Sequence, residues 1–125
     1  MLTNLQKYLP LIENETNEQQ QARFETWLAS YETPVMLDFF AHWCSPCLQM
    51  MPMLEKVAQK FADKVHFIKV DVDVYMAVAR QNNLMGVPTF MLFDKGKLLW
   101  QQPGGISENR LHEIIKTHLK LEKTV

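Results

Sequence analysis

The pattern of apolar residues predicts two strands between residues 35 and 72. Residues Val35 to Phe40 are apolar on both faces of a strand, as expected of a central strand that helices cover on both sides. Asp38 is the exception within this strand. Residues 65–72 are rich in β-branched side chains and predict another strand. With a helix predicted after each strand, this order favours parallel pairing.

Apolar residues at helical spacing predict four helices. A capping side chain at Thr16, with a glutamine three residues later, begins the first helix, and Pro34 ends it. Pro52 is expected to kink the second helix in its early turns, and Ser107 caps the last one. The apolar stripes of the four helices are Phe24, Trp27, Leu28 and Tyr31; Met50, Leu54, Val57, Ala58 and Phe61; Val74, Ala77, Val78 and Leu84; and Leu111, Ile114, Ile115, His118 and Leu119.

A β-hairpin is predicted before the last helix. Thr89–Phe93 and Lys97–Gln101 flank the sequence Asp94-Lys95-Gly96, which is typical of a tight turn between two strands. The hairpin adds two antiparallel strands to the predicted parallel pair.

The N-terminal segment fits two structures. Its apolar residues follow helical spacing until Pro10, whereas residues 10–12 are compatible with a short strand. The apolar residues concerned are Leu2, Leu5, Tyr8 and Leu9. We assign residues 1–15 to an N-terminal extension and residues 16–125 to one domain. A chain of 125 residues that is 47% apolar can bury one sizeable core.

The charge of the chain limits its partners. With a net charge of −1 and an isoelectric point near 6.4, it has no basic excess to neutralise a phosphate backbone or anionic lipid. Nucleic acid and membrane partners are therefore not expected. No apolar run approaches the roughly 20 residues that span a bilayer, and the first thirty residues lack the pattern of an export signal. We expect a cytoplasmic monomer that acts on proteins or small thiols.

The only two cysteines, Cys44 and Cys47, lie three residues apart where the predicted strand meets the next helix. Two thiols at this spacing can form a disulfide and open it again. At the start of a helix, the unpaired backbone N–H groups and the positive end of the dipole favour thiolate at Cys44. Pro46 suits the first helical turn, and the spacing brings Cys47 to the same face. We predict that Cys44 is the nucleophile and Cys47 the resolving thiol.

Half of a zinc site is the alternative explanation of the cysteine pair. His42 or His66 would then supply a nitrogen ligand, but a stable tetrahedral site needs four ligands. The chain has no second cysteine pair, and His112 and His118 are more simply explained as parts of the last helix. We therefore predict no bound metal.

Asp38 is a second candidate for chemistry. A carboxyl group within an otherwise apolar strand is costly to bury as an anion, so burial should raise its pKa. It precedes Cys44 by six residues, an even number, so in a regular strand its side chain can lie below the cysteine pair and take a proton from Cys47 through a water. The alternatives are that Asp38 pairs with a lysine or faces solvent on an edge strand.

A proline stands directly before the first strand of the hairpin, in Gly86-Val87-Pro88-Thr89. Because proline has no N–H to donate, it can leave a neighbouring edge free for another chain. A plain turn before a strand is the alternative. The sequence does not show whether the peptide bond is cis.

Aromatic and methionine side chains near the cysteines are candidates for a partner surface. Trp43, on an exposed loop beside the thiols, could shield the disulfide and contact a partner, although Trp43 and Phe40 could equally be core aromatics. Flexible thioethers suit a surface that accepts many partners, and they also fill cores. The methionines nearest the motifs are Met50, Met51, Met53 and Met85.

Four motifs together resemble the thioredoxin family in order and spacing. They are Asp38-Phe39-Phe40-Ala41-His42-Trp43-Cys44-Ser45-Pro46-Cys47 followed by Pro52; Lys69-Val70-Asp71-Val72-Asp73; Gly86-Val87-Pro88-Thr89; and Gly104. The resemblance covers roughly residues 20 to 120. One Cys-x-x-Cys is a weak signal by itself, whereas four motifs in register are a strong one.

The resemblance implies an α/β thioredoxin fold, in which a central mixed sheet is flanked by helices on both faces. It implies that Asp38 is a buried proton acceptor, that Lys69 is its neighbour and that Pro88 is a cis proline beside the sulfurs. In this family the backbone before the proline pairs with an extended substrate. The substrate-contacting residues expected from the resemblance are Trp43, Ser45, Pro46, Val87, Pro88 and Gly104.

The activity that the resemblance implies is the reduction of protein disulfides by dithiol exchange. No cofactor is expected on the chain, which has no Gly-rich dinucleotide site. A separate enzyme similar to thioredoxin reductase, which uses NADPH, would reset the Cys44–Cys47 disulfide. An oxidase or isomerase of higher redox potential is one alternative. A thioredoxin-fold adaptor or co-chaperone that holds clients without turnover is the other.

Three positions depart from the family pattern. Ser45 stands where thioredoxins usually have Gly, Phe40 where they often have Trp, and Leu48 where they often have Lys. Ser45 changes the backbone freedom and hydrogen bonding around Cys44, and Leu48 removes a positive charge that would favour thiolate. These departures bear on redox potential and on the choice of partner.

Overall fold

The strand that the apolar pattern predicts to be central, Val35–Phe40, lies in the middle of the sheet. The computed structural model describes residues 1–120, so the last five residues of the predicted domain lie outside the described part. All six residues of strand Val35–Phe40 are buried. The strands are β1 (Leu2–Asn4), β2 (Val35–Phe40), β3 (His66–Asp71), β4 (Thr89–Asp94) and β5 (Lys97–Pro103).

Five α-helices complete this part of the chain. They are α1 (Asn17–Ser30), α2 (Ser45–Gln49), α3 (Met51–Lys60), α4 (Met76–Gln81) and α5 (Glu108–Leu119), and one turn of 3₁₀ helix spans Leu5–Lys7. The predicted capping box of α1 is present, with the Thr16 side chain accepting from the Gln19 N–H. The Ser107 side chain likewise caps α5. Around Pro52 the predicted kink is a break at Met50, which separates α2 from α3.

The sheet is mixed, as predicted. Its strand order is β1-β3-β2-β4-β5. β3 pairs parallel with both β1 and β2, whereas β4 pairs antiparallel with β2 and β5. The carboxyl ends of β2 and β3 and the beginning of β4 therefore meet at one edge of the sheet.

Alternation along β2 gives the sheet two apolar faces. Leu37 and Phe39 belong to a core cluster that includes residues of α1 and α4. Met36 belongs to a second cluster with residues of α3 and α5. Helices thus cover both faces, as the fold class predicts. No helix within residues 1–120 is long and apolar enough to cross a membrane.

The N-terminal segment contributes to the same sheet. A strand forms at Leu2–Asn4, rather than at residues 10–12, and it pairs with Phe67–Lys69 of β3. Leu5 and Leu9 are buried in the core cluster on the α1 side. The boundary between residues 15 and 16 stays a prediction, but the extension shares its core with the rest of the chain.

Candidate active site

The two cysteines are joined at the beginning of α2. Cys44 is the N-cap residue of this helix, and the Cys47 backbone N–H donates to the Cys44 Sγ over 3.2 Å. Pro46 occupies the first turn, where a missing N–H leaves no hydrogen bond unmade. The Cys44–Cys47 disulfide joins Cα atoms 5.3 Å apart. The same N-cap geometry would stabilise a Cys44 thiolate after reduction, because the donor points at the sulfur.

The disulfide sits on a small apolar cluster. Phe40, Ala41, Cys44 and Cys47 pack together, and Val87 packs against them. Cys44 keeps 4% of its surface exposed, against 1% for Cys47. Access from solvent therefore favours Cys44 as the sulfur that attacks another disulfide. It likewise favours Cys44 as the sulfur that is attacked when the Cys44–Cys47 disulfide is opened.

Asp38 is buried in the centre of the sheet. Only 1% of its surface is exposed, and its Oδ2 atom has no hydrogen-bond partner in the described part of the chain. Burial raises the pKa of Asp38 to about 7, and the positive charge of Lys69 opposes the rise. β2 lies between β3 and β4, so Asp38 is not on an edge strand. Its side chain shares a face of β2 with Phe40, which contacts the cysteine cluster.

Lys69 is the direct cross-strand neighbour of Asp38. The two residues are register partners in the parallel β2–β3 pair. Within residues 1–120, however, no ion pair joins them. The Lys69 Nζ instead lies 5.6 Å from the centroid of the Phe40 ring. The lysine-paired alternative for Asp38 is therefore not what the structure shows.

A cis peptide bond joins Val87 to Pro88, as the resemblance implies. The Gly104 N–H donates to the Pro88 carbonyl over 2.8 Å, and the Thr89 hydroxyl donates to the Gly86 carbonyl over 2.7 Å. These bonds fix the loop on both sides of Val87. Among the described residues, the N–H and C=O of Val87 itself make no hydrogen bond. An extended chain can pair with such a backbone.

Trp43 is a surface residue rather than a core aromatic. Its exposed fraction is 71%, and its indole N–H donates to the Asp73 carboxylate over 2.9 Å. Phe40, by contrast, is buried. A shallow cavity of about 250 Å³ beside Trp43 is lined by apolar residues that include Leu84, Met85 and Val87. The tryptophan is thus held in one orientation at the rim of this cavity.

The remaining predicted positions surround the disulfide. Ser45 and Pro46 are exposed, and the Ser45 hydroxyl accepts from the Gln49 side chain over 3.4 Å. Leu48 is 44% exposed and Gly104 is exposed. Of the four methionines near the motifs, Met50, Met51 and Met53 pack against core clusters, whereas Met85 is almost fully exposed.

The histidines considered as zinc ligands have other partners. His42 lies 3.3 Å from the Asp71 carboxylate. His66 hydrogen-bonds with Thr3, Tyr8 and Tyr31. Residues 1–120 contain no group of three or more His, Cys, Asp or Glu side chains that could hold a metal ion.

Sequence reasoning gave no separate role to two aspartates at this edge of the sheet. Asp71 ends β3 and pairs with His42, and Asp73 bonds to Trp43 and donates its N–H to the Asp71 carboxylate. The signal that could have found them is their position, because the carboxyl ends of neighbouring parallel strands meet at one edge.

Comparison with known proteins agrees with this geometry. The thioredoxin family model matches residues 15–117, which is most of the chain. The chain belongs to the thioredoxin family. The Cys44–Cys47 pair at the start of α2 can form and open a disulfide, which is the chemistry of thiol–disulfide exchange.

The matches to individual relatives cover different shares of each relative. Over 78% of its own length, this chain is 34% identical to a thioredoxin of Haemophilus influenzae, and the match covers 92% of that protein. It is 34% identical to thioredoxin C-2 of Corynebacterium nephridii, over 86% of this chain and 96% of that protein. It is also 33% identical to a chloroplastic thioredoxin Y of Oryza sativa, but there it spans only 65% of the relative.

Proposed function

We propose that the protein is a thiol–disulfide oxidoreductase that reduces disulfides in other proteins. The observation that carries this proposal is the Cys44–Cys47 disulfide at the start of α2. It packs against Val87, whose backbone N–H and C=O make no hydrogen bond within residues 1–120. Membership in the thioredoxin family supports the same activity.

The first step is attack by Cys44. Its thiolate, stabilised by the Cys47 N–H and the helix dipole, attacks one sulfur of a client disulfide. A bond forms between the Cys44 sulfur and that client sulfur, and the client S–S bond breaks. The leaving client sulfur departs as a thiolate and takes a proton from solvent.

The second step releases the client. Asp38 accepts the proton of Cys47 through a water, and the Cys47 thiolate attacks the Cys44 sulfur. The Cys44–Cys47 disulfide forms, and the second client sulfur leaves and is protonated. The client thus gains two electrons and two protons, which the dithiol loses. A carboxyl whose pKa is about 7 suits this role, because it accepts and returns a proton near neutral pH.

The client docks as an extended segment. The Val87 N–H and C=O are available for strand-like pairing, with Pro88 and Gly104 beside them. Trp43, Ser45 and Pro46 supply the exposed surface on the cysteine side. In this proposal the side chains determine which clients fit, and the backbone supplies affinity.

The oxidised protein is reset by a separate reductase. Because this chain has no dinucleotide motif, the electrons of NADPH reach it through a thioredoxin-reductase-like enzyme. The protein acts as a monomer with no bound cofactor. The proposed location is the cytoplasm, on the strength of its single cysteine pair; since plant relatives carry a chloroplast location in their names, a fluorescent fusion provides the check.

The activity is tested with insulin, whose reduced chains precipitate. The dithiol form is expected to accelerate insulin reduction by dithiothreitol, and Cys44→Ser is expected to abolish the acceleration. Cys47→Ser keeps the attacking thiol but removes the resolving one, so it should accumulate covalent client complexes that a reductant releases. Equal insulin reduction by the wild type and Cys44→Ser would refute the proposal, as would client binding that Cys44→Ser leaves unchanged.

The role of Asp38 is tested separately. Asp38→Asn is expected to slow resolution of the mixed disulfide by about 10- to 100-fold near pH 7, since one positioned proton acceptor is worth about that much or more. Stopped-flow tryptophan fluorescence after mixing with a disulfide peptide follows the step, since Trp43 lies beside the cysteines. If wild type and Asp38→Asn resolve at equal rates from pH 6 to pH 9, Asp38 has no part in the mechanism.

A further inference from the structure

The Lys69 ammonium lies on an aromatic ring although its cross-strand neighbour Asp38 has no partner in the described part of the chain. Asp38 and Lys69 are register partners, so their side chains leave the same face of the sheet. The Lys69 Nζ nevertheless lies over the ring of Phe40, 5.6 Å from its centroid. A cation at this distance from the face of an aromatic ring is attracted by the ring's quadrupole.

Phe40 is well placed to hold the ammonium. It follows Asp38 by two residues on β2, so both side chains share one face. Only 2% of its surface is exposed, because it packs in the cluster that contains Cys44 and Cys47. The His42 imidazole packs against it at 5.2 Å between ring centroids. The ring therefore has a fixed position between the cysteines and the lysine.

The other carboxylate on this part of β3 is already engaged. Asp71 Oδ2 lies 3.3 Å from the His42 Nε2, and its Oδ1 accepts from the Asp73 N–H. Lys69 therefore has two carboxyl neighbours: Asp71 has partners, whereas Asp38 has no hydrogen bond or ion pair within residues 1–120. The ring competes with Asp38 for the ammonium.

We propose that Phe40 is a positioning residue that holds the Lys69 ammonium on its ring and so withholds it from the Asp38 carboxyl. The proposal concerns the proton acceptor of the proposed function and rests on that function for its catalytic consequence. A direct Lys69–Asp38 ion pair would stabilise the carboxylate and weaken it as a base. With the ammonium on the ring, Asp38 keeps its affinity for the Cys47 proton.

The test is a pH titration of Asp38 by carboxyl ¹³C NMR in the oxidised full-length protein. Phe40→Leu removes the ring but keeps an apolar side chain, so Lys69 becomes free to approach the carboxyl. The pKa of Asp38 is then expected to fall by about 0.5 to 1. Phe40→Trp supplies a ring with a stronger quadrupole, so the pKa of Asp38 in this variant should equal or exceed the wild-type value.

Lys69→Met supplies the matched control. This variant has no ammonium at position 69. The pKa of Asp38 should therefore be the same in Lys69→Met and in the double variant that also carries Phe40→Leu. A fall in the Asp38 pKa that disappears in this background supports the proposal. An unchanged titration in Phe40→Leu overturns it, as does a fall of the same size with Lys69 absent, which would show that packing alone is the cause.

Two further measurements keep the outcome interpretable. If Phe40→Leu does not fold, Phe40→Met replaces it, because it also lacks a ring and is close in volume. The pH dependence of mixed-disulfide resolution should move down together with the Asp38 titration. Since the titration needs no turnover, a failure of the insulin assay would refute the reductase, whereas an unmoved titration refutes only the placement by Phe40.

Discussion

At the scale of single residues, Asp38 is the position where function and stability conflict most. The carboxyl is buried in a central strand without a hydrogen bond to its Oδ2 atom among the described residues. Ionising it there is costly, which is why burial raises its pKa to about 7. A proton acceptor with this pKa is useful near neutral pH, but the folded state loses stability when it is charged.

This conflict predicts how stability depends on pH. An unfolded aspartate has a pKa of about 3.9. Because the folded-state pKa is higher, the unfolded state loses the proton first as pH rises. The contribution of Asp38 to the stability of the folded state is therefore greatest below about pH 4, and it is lost as pH rises through about 7. Between pH 4.5 and pH 8.5, the wild type should lose on the order of 2 to 4 kcal/mol relative to Asp38→Asn.

Urea unfolding of both oxidised proteins at the two pH values measures this difference. Comparing the change with pH cancels the constant effect of burying an amide in place of a carboxyl. Parallel pH dependences in the two proteins would show that Asp38 titrates normally, and the raised pKa would then be wrong.

The sequence was sufficient to single out Asp38 but not to place its neighbour. A charged residue within an apolar strand is visible in the sequence, and the alternation of strand side chains predicts its face. The partner of Lys69 is not visible, because a flexible side chain can reach a carboxyl, a ring or solvent from the same backbone position. Packing around Phe40 decides among them.

At the scale of elements, His66 joins three segments that are distant in sequence. Its Nε2 lies 2.9 Å from the Thr3 hydroxyl of β1 and 3.0 Å from the Tyr8 hydroxyl. Its Nδ1 is hydrogen-bonded to Tyr31, at the end of α1. Burial raises the pKa of Tyr31 to about 12, so this hydroxyl stays protonated. The imidazole thus fixes β1 and α1 to the beginning of β3.

This arrangement predicts a loss of stability in mild acid. Burial, together with the positive charge of Lys7, lowers the pKa of His66 in the folded state. Because the unfolded state then binds the proton more readily, the contribution of neutral His66 is lost as pH falls below about 6.5. His66→Gln cannot titrate, so its stability should fall less than that of the wild type between pH 7.5 and pH 5.

Urea unfolding at these two pH values compares the proteins, and the titration of Asp38 cancels because both contain it. Hydrogen exchange of the Leu2–Asn4 amides shows whether β1 is the element that loosens. A wild type that loses no more stability in acid than His66→Gln would contradict the prediction.

Helices were easier to predict than the first strand. The α1 cap at Thr16 and the α5 cap at Ser107 are local signals, since each side chain bonds to a residue three positions away. β1 has only three residues, and its pairing with Phe67 lies 65 positions along the chain from Leu2. So short a segment carries no alternation that would distinguish a strand from a helix.

At the scale of the whole molecule, the mixed sheet assembles the site. The ends of β2 and β3 and the beginning of β4 meet at one edge, which brings Cys44, Asp73 and Pro88 to the same surface. The motifs predict that these segments belong together. The bond from Trp43 to Asp73 was not predictable, because it joins two loops whose separation only the folded sheet determines.

Ser45 and Leu48, which depart from the family pattern, both bear on the reduction potential of the Cys44–Cys47 pair. The donor to Cys44, the burial of Cys47 and the charge of Asp38 each shift the balance between dithiol and disulfide, and small changes in hydrogen bonding move such a potential by tens of millivolts. Reductases and oxidants of this fold can share every element described above and still differ in this quantity.

The most direct test of the proposed reductase is therefore its equilibrium potential against glutathione at pH 7. The change in tryptophan fluorescence, to which Trp43 beside the disulfide contributes, reports the oxidised fraction, with Cys44→Ser as the redox-inactive reference. We predict a potential near about −270 mV, at which the dithiol reduces client disulfides. A potential near about −120 mV would contradict the account, because the pair would then oxidise clients instead.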